Sequence, residues 1–136
     1  MVILLVTTRR TGSDAAMSAT FQYDPSTQLV ELHVRGTLKR AEFAECESEL
    51  AGLITGGASP RILVVCENFG GWERGQDWNN LDFMFSHGAK IARIAIVGAG
   101  TKEDELKAFT GAGMRPTPVR FFAADEATEA TVWLLE

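Results

Sequence analysis

Three carboxylates come nearest to a reaction in this sequence. Glu67, Glu73 and Asp77 fall within one short stretch. Two carboxylates flanking a water can divide general acid and base work, so Glu67 and Asp77 together describe a hydrolase. The same stretch holds no His or Cys to act as base or nucleophile. Asp77 also suits the N-cap of a helix, and Glu73 with Arg74 suits a solvated loop. The two histidines, His33 and His87, are far apart and lack Cys or carboxylate neighbours at metal-ligand spacing. Neither a metal nor a cofactor is expected. Cys46 and Cys66 lie in apolar patterns and read as small hydrophobes. Two cysteines cannot make a disulfide framework, and a reducing cytoplasm disfavours a bridge between them.

Binding chemistry is better supplied. Phe69-Gly70-Gly71-Trp72 puts two aromatic rings on a glycine-rich segment, and Trp78, Phe83 and Phe85 follow. An indole in such a place can wall an apolar pocket or anchor a partner. It can also fold back as a lid on its own core. Trp78 falls on an apolar helical stripe, as core residues do. Phe83 falls off that stripe, towards a pocket or a partner. A second constellation, Gly98-Ala99-Gly100-Thr101, precedes a helix and could receive an anion on backbone N–H groups. It lacks the third glycine of a dinucleotide fingerprint and the lysine of a P-loop. A plain turn with Thr101 as N-cap and Asp104 completing a capping box is the simpler reading.

The elements that must position these residues follow from periodicity. Phe21–Asp24 and Leu29–Arg35 alternate with period two around the turn Asp24-Pro25-Ser26-Thr27. Val30, Leu32 and Val34 share the buried face of this hairpin, and Glu31, His33 and Arg35 the wetter one. A helix with Thr37 as N-cap runs to Gly56, with Phe43, Cys46, Leu50, Leu53 and Ile54 on one stripe. Glu42, Glu45 and Glu49 lie on its solvated side. Ile62 to Cys66 is an unbroken apolar run inside Arg61–Glu67, the mark of a strand buried on both faces. A loop from Asn68 to Gly75 leads to a helix over Asp77–His87. Ile91–Val97 is a strand, and a short helix carries Leu106 and Phe109 inward. After the loop Gly111–Pro118 come a last strand, Val119–Phe122, and a last helix. That helix is capped by Asp125 and buries Ala130, Trp133 and Leu134. The order is β-β-α-β-α-β-α-β-α. Strict alternation after the hairpin implies βαβ crossovers and an α/β fold with a five-stranded mixed sheet. Ligands in such sheets sit beyond the carboxyl ends of the strands, where the aromatic and glycine-rich segments collect.

The chain has 136 residues, a formal charge of −5 and 46% apolar residues, which suits one globular domain. Residues 1–19 read as a flexible lead-in and 20–136 as the single domain. Met1–Val6 is too short for a secretory h-region or a membrane span, and Met17 could be the true start. A cytoplasmic location is expected. The acidic balance argues against a nucleic-acid surface.

The stretch Phe69-Gly70-Gly71-Trp72 leading to Trp78-Asn79-Asn80-Leu81-Asp82-Phe83 resembles the SpoIIAA-like family of the STAS-type superfamily. Ile94–Gly98 and the closing Phe121-Phe122, Glu126-Ala127 and Trp133-Leu134 extend the resemblance over residues 20–136. It implies a right-handed β-α superhelix with helices mainly on one face. It also implies a regulatory or binding module, not an enzyme, whose biochemical role is undefined. Anti-sigma-factor antagonists of that superfamily are switched by phosphorylating a Ser or Thr at the start of the helix after the third strand. No Ser, Thr or His occurs from Glu67 to Phe85, so the family position has no acceptor. Two expectations follow. One is a small apolar or amphipathic ligand held by Phe69, Gly71, Trp72, Trp78, Phe83 and Phe85, with a weaker anion site at Gly98, Gly100 and Thr101. The other is a homodimer or a transient protein partner using the Asp77–His87 helix.

Overall fold

The computed structural model describes residues 18–75, 90–110 and 117–136. Within them the order is β1 (Ala19–Asp24), β2 (Leu29–Leu38), α1 (Arg40–Thr55), β3 (Arg61–Trp72), β4 (Arg93–Val97), a 3₁₀ turn (Gly100–Lys102), α2 (Glu103–Thr110), β5 (Val119–Phe122) and α3 (Ala127–Leu135). The strands form one sheet in the order β1-β2-β3-β4-β5. β1 pairs antiparallel with β2, and the other three pairings are parallel. Each crossover after the hairpin therefore moves one place along the sheet, as strict β/α alternation requires. The expected helix over Asp77–His87 lies outside the described residues, with Asp77, Trp78, Phe83, Phe85 and His87, and so do residues 111–116.

Alternation divides the core in two. Val30, Val34, Ile62, Cys66, Ile94 and Ile96 face α1 and α2, and meet Cys46, Leu50, Ile54 and Leu106. Leu63, Ala95 and Val97 face the other way and meet Ala130 and Leu134 of α3. β3 and β4 are thus apolar on both faces, as their continuous Val/Ile runs demand. Ile96 and Leu134 are fully buried, each contributing about 1.5–3 kcal/mol of apolar transfer.

The structure corrects several local readings. β1 starts at Ala19, and β2 continues through Thr37 to Leu38. Thr37 is therefore a strand residue, not a helix cap. α1 starts at Arg40 with no side-chain bond from its N-cap residue, Lys39. Its first turn is satisfied from elsewhere. The Lys39 amide donates to Ser18 Oγ at 2.9 Å, and Ser18 Oγ donates to Glu42 Oε1 at 2.6 Å. The Arg40 amide donates to Glu73 Oε1 at 3.1 Å. Glu42 and Glu73, both read as solvated, thus hold one end of a helix. Thr101 lies inside the 3₁₀ turn, whose N-cap residue, Ala99, makes no capping side-chain bond. α3 is preceded by Glu126, not capped by Asp125, and the Glu126 carboxylate accepts the Ala123 amide at 2.8 Å. Trp133 is half-buried, packed on the α3 side of the core.

Gly98 closes β4 with φ of +78°. A Cβ there would stand 3.0 Å from the Cys66 carbonyl oxygen, whereas one at Gly100, with φ of +58°, would meet nothing within 4 Å. Gly100→Ala should therefore lose about 1–2 kcal/mol for its left-handed backbone alone. Gly98→Ala should lose roughly 1–3 kcal/mol more, because backbone must also move. Denaturant unfolding of the two variants checks the order.

Candidate functional site at the carboxyl edge of the sheet

β3 outlasts its neighbour β4. Its pairing with β4 spans Arg61 to Val65, while its pairing with β2 runs on to Trp72 opposite Leu38. The segment read as a loop from Asn68 is therefore an extension of the strand. Two irregularities make this possible. Glu67 pairs with Arg35, Phe69 with Gly36, Gly71 with Thr37 and Trp72 with Leu38, so Asn68 and Gly70 are extra residues on β3. Asn68 has φ of +53° and Gly36 φ of +52°, values typical of bulges and rare outside Gly and Asn.

The extra residues decide where the rings go. Positions 69 and 72 are an odd number apart and would face opposite ways on a regular strand. With Gly70 bulged they face the same way, and both pack against the α1 side of the core. Their rings meet edge to face, with centroids 5.2 Å apart, the arrangement the ring quadrupoles favour. Both are half-buried, so Trp72 is a packed residue with one flank outward.

The second glycine-rich segment reaches the same edge. A Cβ on Gly71 would lie 3.6 Å from Lys102 Nζ. The Lys102 ammonium, paired with Glu105 at 3.3 Å, thus stands beside the aromatic segment. α2 opens with Glu103, Asp104 and Glu105, whose carboxylates already complement its N-terminal dipole. Gly98 is held between the Cys66 carbonyl and Ala124, while Gly100 and Thr101 are exposed.

Glu67 points elsewhere. It lies on the α3 face of the sheet, where Glu67 Oε2 is 2.6 Å from His33 Nδ1 and 3.4 Å from Arg35 Nε. His33 Nε2 is 3.0 Å from Glu31 Oε2. A carboxylate on each ring nitrogen favours imidazolium. The bond to Glu31, with that to Glu67, raises the His33 pKa above its ordinary value against the opposing effect of burial. The bond to His33 lowers both Glu31 and Glu67. The two carboxylates sit at opposite ring nitrogens and do not converge on one point, as metal ligands must. Sequence reading missed this cluster. Its signal was available: aligning Val30 with Ile62 in a parallel ladder sets Arg35 opposite Glu67. Cys46 and Cys66 are both free and buried, and burial pushes the Cys66 thiol up to about 11, which suppresses the thiolate.

A cavity of about 280 Å³ lies between β5 and α3, lined by Arg120, Phe122, Val132 and Trp133 among others.

A SpoIIAA-like family model matches residues 29–135. The chain belongs to the SpoIIAA-like family. Among solved structures, this SpoIIAA-like chain is similar to an uncharacterized protein of the DUF3478 family with a SpoIIAA-like fold from Shewanella loihica PV-4. That likeness has a TM-score of 0.62 at 18% identity, and covers 85% of this chain and 91% of the other. At that identity it speaks to fold alone. No curated protein matches the chain. No helix among the described residues is long and apolar enough to cross a membrane.

The charged cluster makes stability depend on pH with a definite sign. His33, raised above 6.5, stabilises the fold fully below that value, and the contribution fades as pH rises through the folded pKa. Glu31 and Glu67, lowered from 4.5, stabilise above that value, and their contribution fades as pH falls through the folded pKa values. The cluster therefore contributes most between about pH 4.5 and 6.5. His33→Gln should flatten the difference in unfolding free energy between that window and alkaline pH. An unchanged profile would show that His33 is not coupled to the carboxylates.

Proposed function

We propose that this SpoIIAA-like chain is a non-catalytic binding module that takes a small amphipathic ligand at the carboxyl edge of its sheet. One observation carries the reading: the doubled bulge sets Phe69 and Trp72 on one face, and the Lys102 ammonium stands beside Gly71, which lies between them in the strand. Rings offer an apolar wall and the ammonium a partner for an anionic head. The non-catalytic part of the reading is supported by the disposition of reactive groups. Glu67 is engaged by His33 and Arg35, Glu73 by the start of α1, and both thiols are buried. The regulatory character usual in the wider superfamily points the same way. The sequence pattern adds Trp78, Phe83 and Phe85, outside the described residues, as further candidate wall residues.

The probe is laurate, an apolar chain with one carboxylate. Native mass spectrometry of the purified chain should show one added laurate. Excess laurate should raise the melting temperature, since a ligand at a hundred times its Kd stabilises by about 2.7 kcal/mol. Lys102→Glu should abolish both effects and leave the unliganded melting temperature nearly unchanged, because its pair with Glu105 is at the surface. Trp72→Ala is a poor test, since Trp72 packs on the core. Absence of any laurate adduct or thermal shift, or binding indifferent to Lys102→Glu, would overturn the reading.

A further inference from the structure

Among the described residues β5 is a sheet edge. The amides of Ile94 and Gly98 donate to the carbonyl oxygens of Pro118 and Phe122 at 2.9 and 3.0 Å. Alternate residues of a strand turn their backbone groups to opposite sides, so Val119 and Phe121 direct theirs away from β4. An edge of this kind is a template for another strand. Beside it runs α3, with Val132 and Leu135 at 58% and 42% exposure, the exposed large hydrophobics among the described residues. Val132 belongs to the 280 Å³ groove between α3 and β5, and Arg120 and Glu129 belong to the same groove. The Arg120 guanidinium lies over Phe122 at 5.0 Å and over Trp133 at 5.9 Å.

From these features we infer that two copies of the chain associate through β5 and α3 about a two-fold axis, joining their sheets edge to edge. The charge pattern selects a second copy as the occupant. A two-fold interface applies one patch to itself, and this patch carries both the cation Arg120 and the anions Glu129 and Glu136. Each copy's Arg120 can therefore meet the other copy's carboxylates, while Val132 and Leu135 of both are covered. The register also follows. Antiparallel pairing of Phe121 with the second copy's Phe121 uses the outward backbone groups and sets Arg120 opposite the second copy's Phe122. Pairing Val119 with the second copy's Phe121 instead would oppose two arginines, which is unfavourable. This inference uses a different surface from the proposed ligand site, so either can fail alone.

Sedimentation velocity on the full chain, across a concentration series into the tens of micromolar, reads the result directly. The wild type should reach twice 14.8 kDa. Val132→Glu and Arg120→Glu should each weaken association at least tenfold while circular dichroism and melting temperature stay close to wild type. The double variant Arg120→Glu with Glu129→Arg should recover the dimer, because the exchange restores opposite charges across the axis. A wild-type chain that stays monomeric throughout overturns the inference. So does a dimer that both single variants leave intact, since its interface then lies elsewhere.

Discussion

The parallel ladder between β2 and β3 is the constraint on which the rest depends. It joins the antiparallel hairpin to the parallel half of the sheet, and both cores are built on its side chains. Its first seven pairs, from Leu29↔Arg61 to Arg35↔Glu67, run without a break. That regularity sets Val30 over Ile62 on one face and His33 beside Glu67 on the other. A slip of one residue would exchange these faces and bury the charges. The ladder then gives up its regularity at the carboxyl edge, where no β4 partner continues it, and the aromatic pair is placed by that loss.

The two faces of the sheet are treated differently. The face toward α1 and α2 is apolar from β1 to β5. The opposite face is apolar only under α3, which packs over β3 and β4. Toward β2 it carries Glu31, His33, Arg35 and Glu67, half-buried and mutually paired. Partial burial strengthens such contacts without isolating any charge. Among the described residues one helix covers that side, and the charged groups beside it are held by a chain of ionic contacts. Among the described residues the α3 and β5 border is partly apolar, with Val132 and Leu135 exposed.

Much of this was legible in the chain itself. Period-two alternation in Leu29–Arg35, the apolar run Ile62–Cys66 and the strand–helix alternation specify an α/β fold with a mixed five-stranded sheet, and the family pattern agrees with it. Ends of elements were less legible. Thr37, Thr101 and Asp125 are good caps by type, yet α1 is closed by Ser18, Glu42 and Glu73. Local sequence carries no record of partners 21 and 33 positions away. The bulges at Asn68 and Gly70 were hidden for a related reason, since a glycine-rich run reads as a loop unless its partner strand is known. Glu67 was misassigned because its place depends on a pairing register, not on its neighbours. Trp78, Phe83 and Phe85 lie outside the described residues, and their share in the site rests on the sequence pattern.

The closure of α1 by distant groups bears on the order in which the chain can fold. A helix that carries its own cap can form its first turn early, from neighbours alone. Here Lys39 and Arg40 must wait until Ser18 at the foot of β1 and Glu73 beyond the end of β3 have both arrived. The amides of that turn consequently report on sheet assembly. In hydrogen exchange they should open with the ends of β1 and β3, as one cooperative unit with the sheet edge, and not with the fraying of the helix to which they belong.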